Sequence, residues 1–161
     1  MRMRHARPDL TAAALASLAA AGVAVVIRIA EPFDHGTWLV AYLFLVGFLA
    51  QLLLGRGQAA LLSAGGLPAP RRGVRLAQAL LWNFGVIAVP TGVLADARLA
   101  VVVGSISLLA ALGLLWETAR PMLPGSDARP TRSGWAYALL LLTITASTLI
   151  GTALAWDIPW M

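Results

Sequence analysis

Five long apolar stretches alternate along the chain with short connections rich in Gly, Pro, Ser and Arg. The stretches are Leu10–Ile27, Thr37–Leu54, Leu76–Leu94, Leu99–Trp116 and Gly134–Trp156. Each runs for about 18 to 23 residues, enough to cross a hydrocarbon core of about 30 Å at about 1.5 Å per residue. The pattern predicts an all-α polytopic membrane protein. It is expected to form a compact bundle of five transmembrane helices within one integral membrane domain, residues 1–161.

Composition narrows this further. Hydrophobic residues make up 60% of the chain and charged residues 12%, and mean hydropathy is +0.82. A soluble domain carries about a quarter charged residues, so this chain has too few to cover a water-facing surface. Cysteine is absent, which excludes disulfides, thiolate metal sites and a thiol nucleophile. The first stretch follows a basic start and could be cleaved as a signal peptide. Its length and Arg28 at its end favour a retained helix.

The formal net charge is +5 and every basic residue is Arg. The arginines sit in the connections, so they read as orientation signals, and no nucleic-acid partner is expected. The N-terminus and the second and fourth connections hold Arg2, Arg4, Arg7, Arg56, Arg71, Arg72, Arg75, Arg120, Arg129 and Arg132. The opposite side holds Arg28 and Arg98. The positive-inside rule places the N-terminus in the cytoplasm and the C-terminus outside. Trp38, Trp116, Trp135, Trp156 and Trp160 fall near stretch ends, where an indole favours the headgroup boundary. Trp82 lies inside its stretch and is expected to face a neighbouring helix.

Ala95–Arg98 is short enough to demand a tight antiparallel hairpin. The run "AALLSAGGL", from residue 59 to 67, is expected to lie as a short surface helix. It would hold Arg71, Arg72 and Arg75 near anionic lipid headgroups. "GRGQAALLSAGG" has no GK[ST] and follows no strand, so it is not a phosphate loop.

Polar groups inside a membrane are the usual pointers to function. The stretches hold no Asp, Glu or Lys and no central Arg, which disfavours proton-coupled transport. Asn83 and Gln51 are expected to serve as polar packing between helices, because hydrocarbon offers an amide no partner. Pro90 predicts a bend in the third stretch. Ser147, Gly151 and Ala155, at four-residue spacing, are expected to let another helix approach closely, as are Ala100 and Gly104.

His35 is the one histidine beside a stretch on the outer side. His35, Trp38 and Tyr42 are the residues that would wall a planar cofactor; His35, Asp34 and Glu31 are those that would hold a cation. The other histidine, His5, lies on the opposite side, so the two cannot share one iron in a monomer. Asp34 is suited to cap the second helix. The reading is therefore a boundary histidine, with no cofactor, no metal and no catalytic residue expected. No strand–turn–helix nucleophile elbow is present.

The whole pattern resembles the small multi-pass membrane proteins common in high-GC bacterial genomes. The likeness implies residence in the bacterial inner membrane and carries no site residues. The expected role is a non-catalytic accessory or assembly subunit, packing against the lipid bilayer, a membrane-protein partner or a second copy. Two other classes are a haem- or metal-binding redox protein using His35, and a small-solute transporter or channel with a site near Asn83 and Pro90.

Overall fold

The computed structural model describes residues 10–30, 35–122 and 132–157, with side chains between 13 and 150. Among the described residues there are helices and turns and no strand. The helices are α1 (Leu10–Ala30), α2 (Gly36–Ala64), α3 (Arg72–Leu94), α4 (Arg98–Ala119) and α5 (Arg132–Asp157). A 3₁₀ turn, Arg120–Met122, ends α4. All five are long and apolar enough to cross a membrane.

Small residues decide how closely these helices pack. Ala14, Ser17, Ala21 and Ala24 form the buried stripe of α1, at the three- and four-residue spacing of one helix face. That stripe meets α2 where a Cβ on Gly47 would come within 2.8 Å of Ser17 Cβ. Gly47 lies in a π-helical segment, Leu43–Ala50, within α2. The α3–α4 hairpin is closer still. A Cβ on Gly85 would lie 2.7 Å from the Gly104 carbonyl oxygen, and one on Gly92 would lie 2.8 Å from the Val101 nitrogen. The core gathers around this hairpin, with Trp82, Val86, Leu108, Leu112 and Leu115 buried against Leu54 and Leu61 of α2. On α5, Tyr137 and Leu141 join the core, and Ala146, Ser147, Leu149 and Ile150 are exposed.

Two helix ends share one hydrogen-bond pattern. After α2, Leu67 N–H donates to Leu62 O and Gly66 N–H to Ser63 O; after α3, Ala97 N–H donates to Gly92 O and Asp96 N–H to Val93 O. Both are Schellman motifs, which need a left-handed residue at the turn. Gly66 takes φ 64° and Asp96 φ 52°. A Cβ is disfavoured in that region by about 1–2 kcal/mol, although Asp tolerates it better than most residues. Gly66→Ala should therefore destabilise the bundle by about 1 kcal/mol, and Asp96→Gly should leave it unchanged or slightly more stable. Denaturant titration of both variants in one detergent checks the opposite signs.

The second connection differs from expectation. Residues 59–64 do not form a separate short helix; they complete α2, which spans 29 residues. Gly55 and Gly57 read as breakers in the sequence, yet Gly57 is packed on the Tyr137 ring. Leu61 and Leu62 are buried, and their burial outweighs the small helix penalty of the glycines. The break comes at Gly65–Gly66 instead. α3 likewise starts at Arg72 rather than Leu76, and α4 reaches Ala119 rather than Trp116.

Candidate functional site

The polar side chains of α2, α3 and α4 meet inside the bundle. On α2, Gln51, Leu54, Gln58 and Leu61 recur at three- and four-residue spacing and all are buried. Gln78 and Trp82 occupy the matching face of α3. Thr118, near the end of α4, joins them. Its hydroxyl accepts from Gln58 Nε2 at 2.6 Å and from Gln78 Nε2 at 3.2 Å, and donates to the Leu114 carbonyl at 2.8 Å. Gln78 Nε2 also donates to the Leu114 carbonyl at 3.1 Å. A hydroxyl offers one donor and two acceptor positions, so Thr118 is saturated and ties three helices at one point.

About two turns away, Gln51 Nε2 donates to Asn83 Oδ1 at 3.3 Å, and Asn83 Nδ2 donates to the Ala79 carbonyl at 2.7 Å. Ser107 Oγ donates to the Leu81 carbonyl at 2.9 Å, linking α4 to α3. Gln51 Oε1 and the Trp82 indole Nε1 have no partner. Gln51 and Trp82, with Leu54, Gln78 and Leu115, line one gap too narrow for a water molecule. An orphaned buried donor costs about 1–3 kcal/mol. Trp82→Phe removes that donor along with part of a well-packed ring, so the two effects should nearly cancel. We expect a change under about 1 kcal/mol, against about 3–5 kcal/mol for Trp82→Ala, which leaves a cavity. Thermal unfolding of both variants in detergent measures the contrast.

The boundary residues are arranged differently. His35 is exposed and occupies the N-cap position of α2 with φ 62° and ψ 3°. It makes no side-chain cap hydrogen bond, and it stands where Asp34 was expected to cap. Asp34 and Glu31 lie outside the described residues. Trp38 and Tyr42 stack on each other with ring centroids 5.2 Å apart. Tyr42 Oη donates to the Gly85 carbonyl at 3.5 Å, a long bond that turns this ring toward α3. Among the described residues no group of three His, Cys, Asp or Glu could hold a metal ion.

Of the other sequence candidates, Pro90 is buried within α3, which continues to Leu94. The next residue, Thr91, donates its hydroxyl to the Ile87 carbonyl at 2.8 Å. Ser147 is exposed, so it faces away from the bundle; Gly151 and Ala155 lie outside the described side chains. Gly104 is buried and meets Val89 and Ala88 of α3. Sequence reading missed Thr118 and Gln58 as partners, because both fell in presumed connections. The signal for Gln58 was its spacing of seven from Gln51, with Leu54 and Leu61 on the same helical face.

Charge is separated between the two ends of the bundle. The approaches of Ser17 to Gly47, Gly57 to Tyr137 and Gly85 to Gly104 fit antiparallel neighbours. Described Arg56, Arg71, Arg72, Arg75, Arg120 and Arg132 therefore fall toward one end, and Arg28 and Arg98 toward the other. A scan of protein-family models, a search of curated proteins and a search of solved structures each returned no match.

Proposed function

We propose that the chain is a multi-pass protein of the bacterial inner membrane. Its N-terminus lies in the cytoplasm and its C-terminus outside. It acts there as a non-catalytic accessory or assembly subunit, by packing helices against a membrane-protein partner or a second copy. The observation that carries this reading is an inverted surface. Gln51, Gln58 and Gln78 are buried, whereas Ile29, Leu80, Ile87 and Leu99 are each more than 60% exposed. Water would favour the reverse; hydrocarbon favours this arrangement because an amide there finds its partners only inside the bundle.

Helix length supports the same reading. Twenty residues separate Gly36 from Arg56, and twenty separate Arg75 from Ala95. Each interval is about 30 Å of helix, the thickness of a hydrocarbon core. The non-catalytic part rests on how the interior amides are used: Gln58 and Gln78 bond to Thr118, and Gln51 to Asn83.

Purification from the native membrane in mild detergent tests the role. Mass spectrometry should find one membrane protein in constant ratio to this chain, or a defined homo-oligomer. A stoichiometric haem band lost in His35→Gln would overturn the reading in favour of redox chemistry. Substrate-dependent flux in liposomes that is abolished by Asn83→Leu would overturn it in favour of transport.

A further inference from the structure

We propose that Gln51 is the moving part of a two-position switch within α2. In the second position its side-chain carbonyl accepts the Trp82 indole N–H. Both side chains are buried, and each holds one orphaned atom. Gln51 Oε1 is an acceptor without a donor, and Trp82 Nε1 is a donor without an acceptor. The two residues line the same gap, which has no room for a water molecule to satisfy them. A buried orphan is costly, so joining the two recovers free energy on both sides of the gap.

Of the two amides on the gap, Gln51 is the freer. Gln78 Nε2 is held twice, by Thr118 Oγ1 at 3.2 Å and by the Leu114 carbonyl at 3.1 Å. Gln51 makes one side-chain bond, to Asn83 Oδ1 at 3.3 Å. That is longer than the usual range, so little is lost when it lets go. Asn83 stays anchored through Nδ2 to the Ala79 carbonyl at 2.7 Å.

The backbone supplies the hinge, because Gln51 stands at a change of helical register. The π segment Leu43–Ala50 ends just before it, and π bonds run five residues back along the chain. Gln51 N–H instead donates to the Phe48 carbonyl, three residues back. π turns inside α-helices recur at functional sites. When this one tightens toward α geometry, Gln51 turns about the helix axis and carries its amide with it. Gly47, within the segment, lies so close to α1 that a Cβ there would come within 2.8 Å of Ser17 Cβ. α1 therefore presses on the segment that positions Gln51. The switch couples the packing of α1 to the polar contacts between α2 and α3.

Nuclear magnetic resonance of the full chain in mild detergent, with the indole nitrogens isotopically labelled, tests this. Trp82→Phe identifies the Trp82 signal by its loss. Wild type should show microsecond-to-millisecond exchange between a major indole signal without a hydrogen bond and a minor, bonded one. Gln51→Leu should abolish the minor signal. Asn83→Leu, which frees Gln51, should raise the minor share by about threefold or more. Gly47→Ala should raise it too, because the added methyl crowds Ser17 in the present position. Gly22→Ala, whose Cβ meets nothing within 4 Å, should leave it unchanged. A single, unexchanging Trp82 signal in wild type, bonded or not, would overturn the switch. So would a bonded signal that survives Gln51→Leu, which would assign the indole to Gln78 or to water. A response to Asn83→Leu with none to Gly47→Ala would overturn the part given to the π segment.

Discussion

Gly104→Ala should lower the unfolding free energy by about 2 kcal/mol, and Gly85→Ala by a similar amount. The reason lies in what the new methyl would meet. At Gly85 it would approach the Gly104 carbonyl oxygen to 2.7 Å, and at Gly104 the Val89 nitrogen to 2.9 Å. Those are backbone atoms, and no rotamer change moves them aside. α3 and α4 must separate, and every contact along their hairpin weakens with them. Lipid supplies little drive to push the helices back together, since their association depends on close packing and interhelical bonds. Gly22→Ala and Gly113→Ala are the controls, because a Cβ at either meets nothing within 4 Å. Both should be neutral or slightly stabilising, as a glycine is removed from a helix. Denaturation followed by helicity in mild detergent ranks the four variants. Equal stability of Gly104→Ala and Gly113→Ala would refute the close-approach account.

Thr118→Val should cost about 1–3 kcal/mol, although Val has nearly the shape of Thr. The hydroxyl is the acceptor for Gln58 Nε2 and one of two acceptors for Gln78 Nε2. Its loss removes the acceptor of the buried Gln58 amide nitrogen, while Gln78 keeps the Leu114 carbonyl. The asymmetry gives a sharper expectation. Replacing both partners, Thr118→Val with Gln58→Leu, should be less damaging than Thr118→Val alone, because no orphaned amide remains. A double-mutant cycle measures this as a non-additive term. Strict additivity would mean that Gln58 and Thr118 do not depend on each other.

The sequence made some of these features readable and hid others for physical reasons. Five long helices follow from apolar runs too long for anything else. Asn83 stood out because an amide in an apolar run needs a partner. Gln51 was also visible, but their pairing was not, since 32 residues and a turn separate them. Gly57 and Gln58 looked like connection residues, because local preference cannot register that Tyr137 packs against one and Thr118 binds the other. The π segment in "LFLVGFLA" left no trace, as a uniformly apolar run gives no phase to read. Ala100 and Gly104 suggested a close approach, whereas the Gly85 and Gly92 face that receives it lay seven residues apart and went unread. His35 could be placed at a boundary, but its left-handed backbone could not, because a non-glycine residue rarely takes that conformation.

The central claim is a five-span chain with its arginine-rich end in the cytoplasm, and topology reporters test it most directly. One reporter, active only outside the cytoplasm, is fused after Met161; the same reporter is placed after Gly66 in the second connection. A five-span chain with a cytoplasmic N-terminus gives activity after Met161 and none after Gly66. Activity after Gly66 with none after Met161 would mean an inverted chain. Inactivity at both positions would mean an even number of spans, and either result would contradict the account.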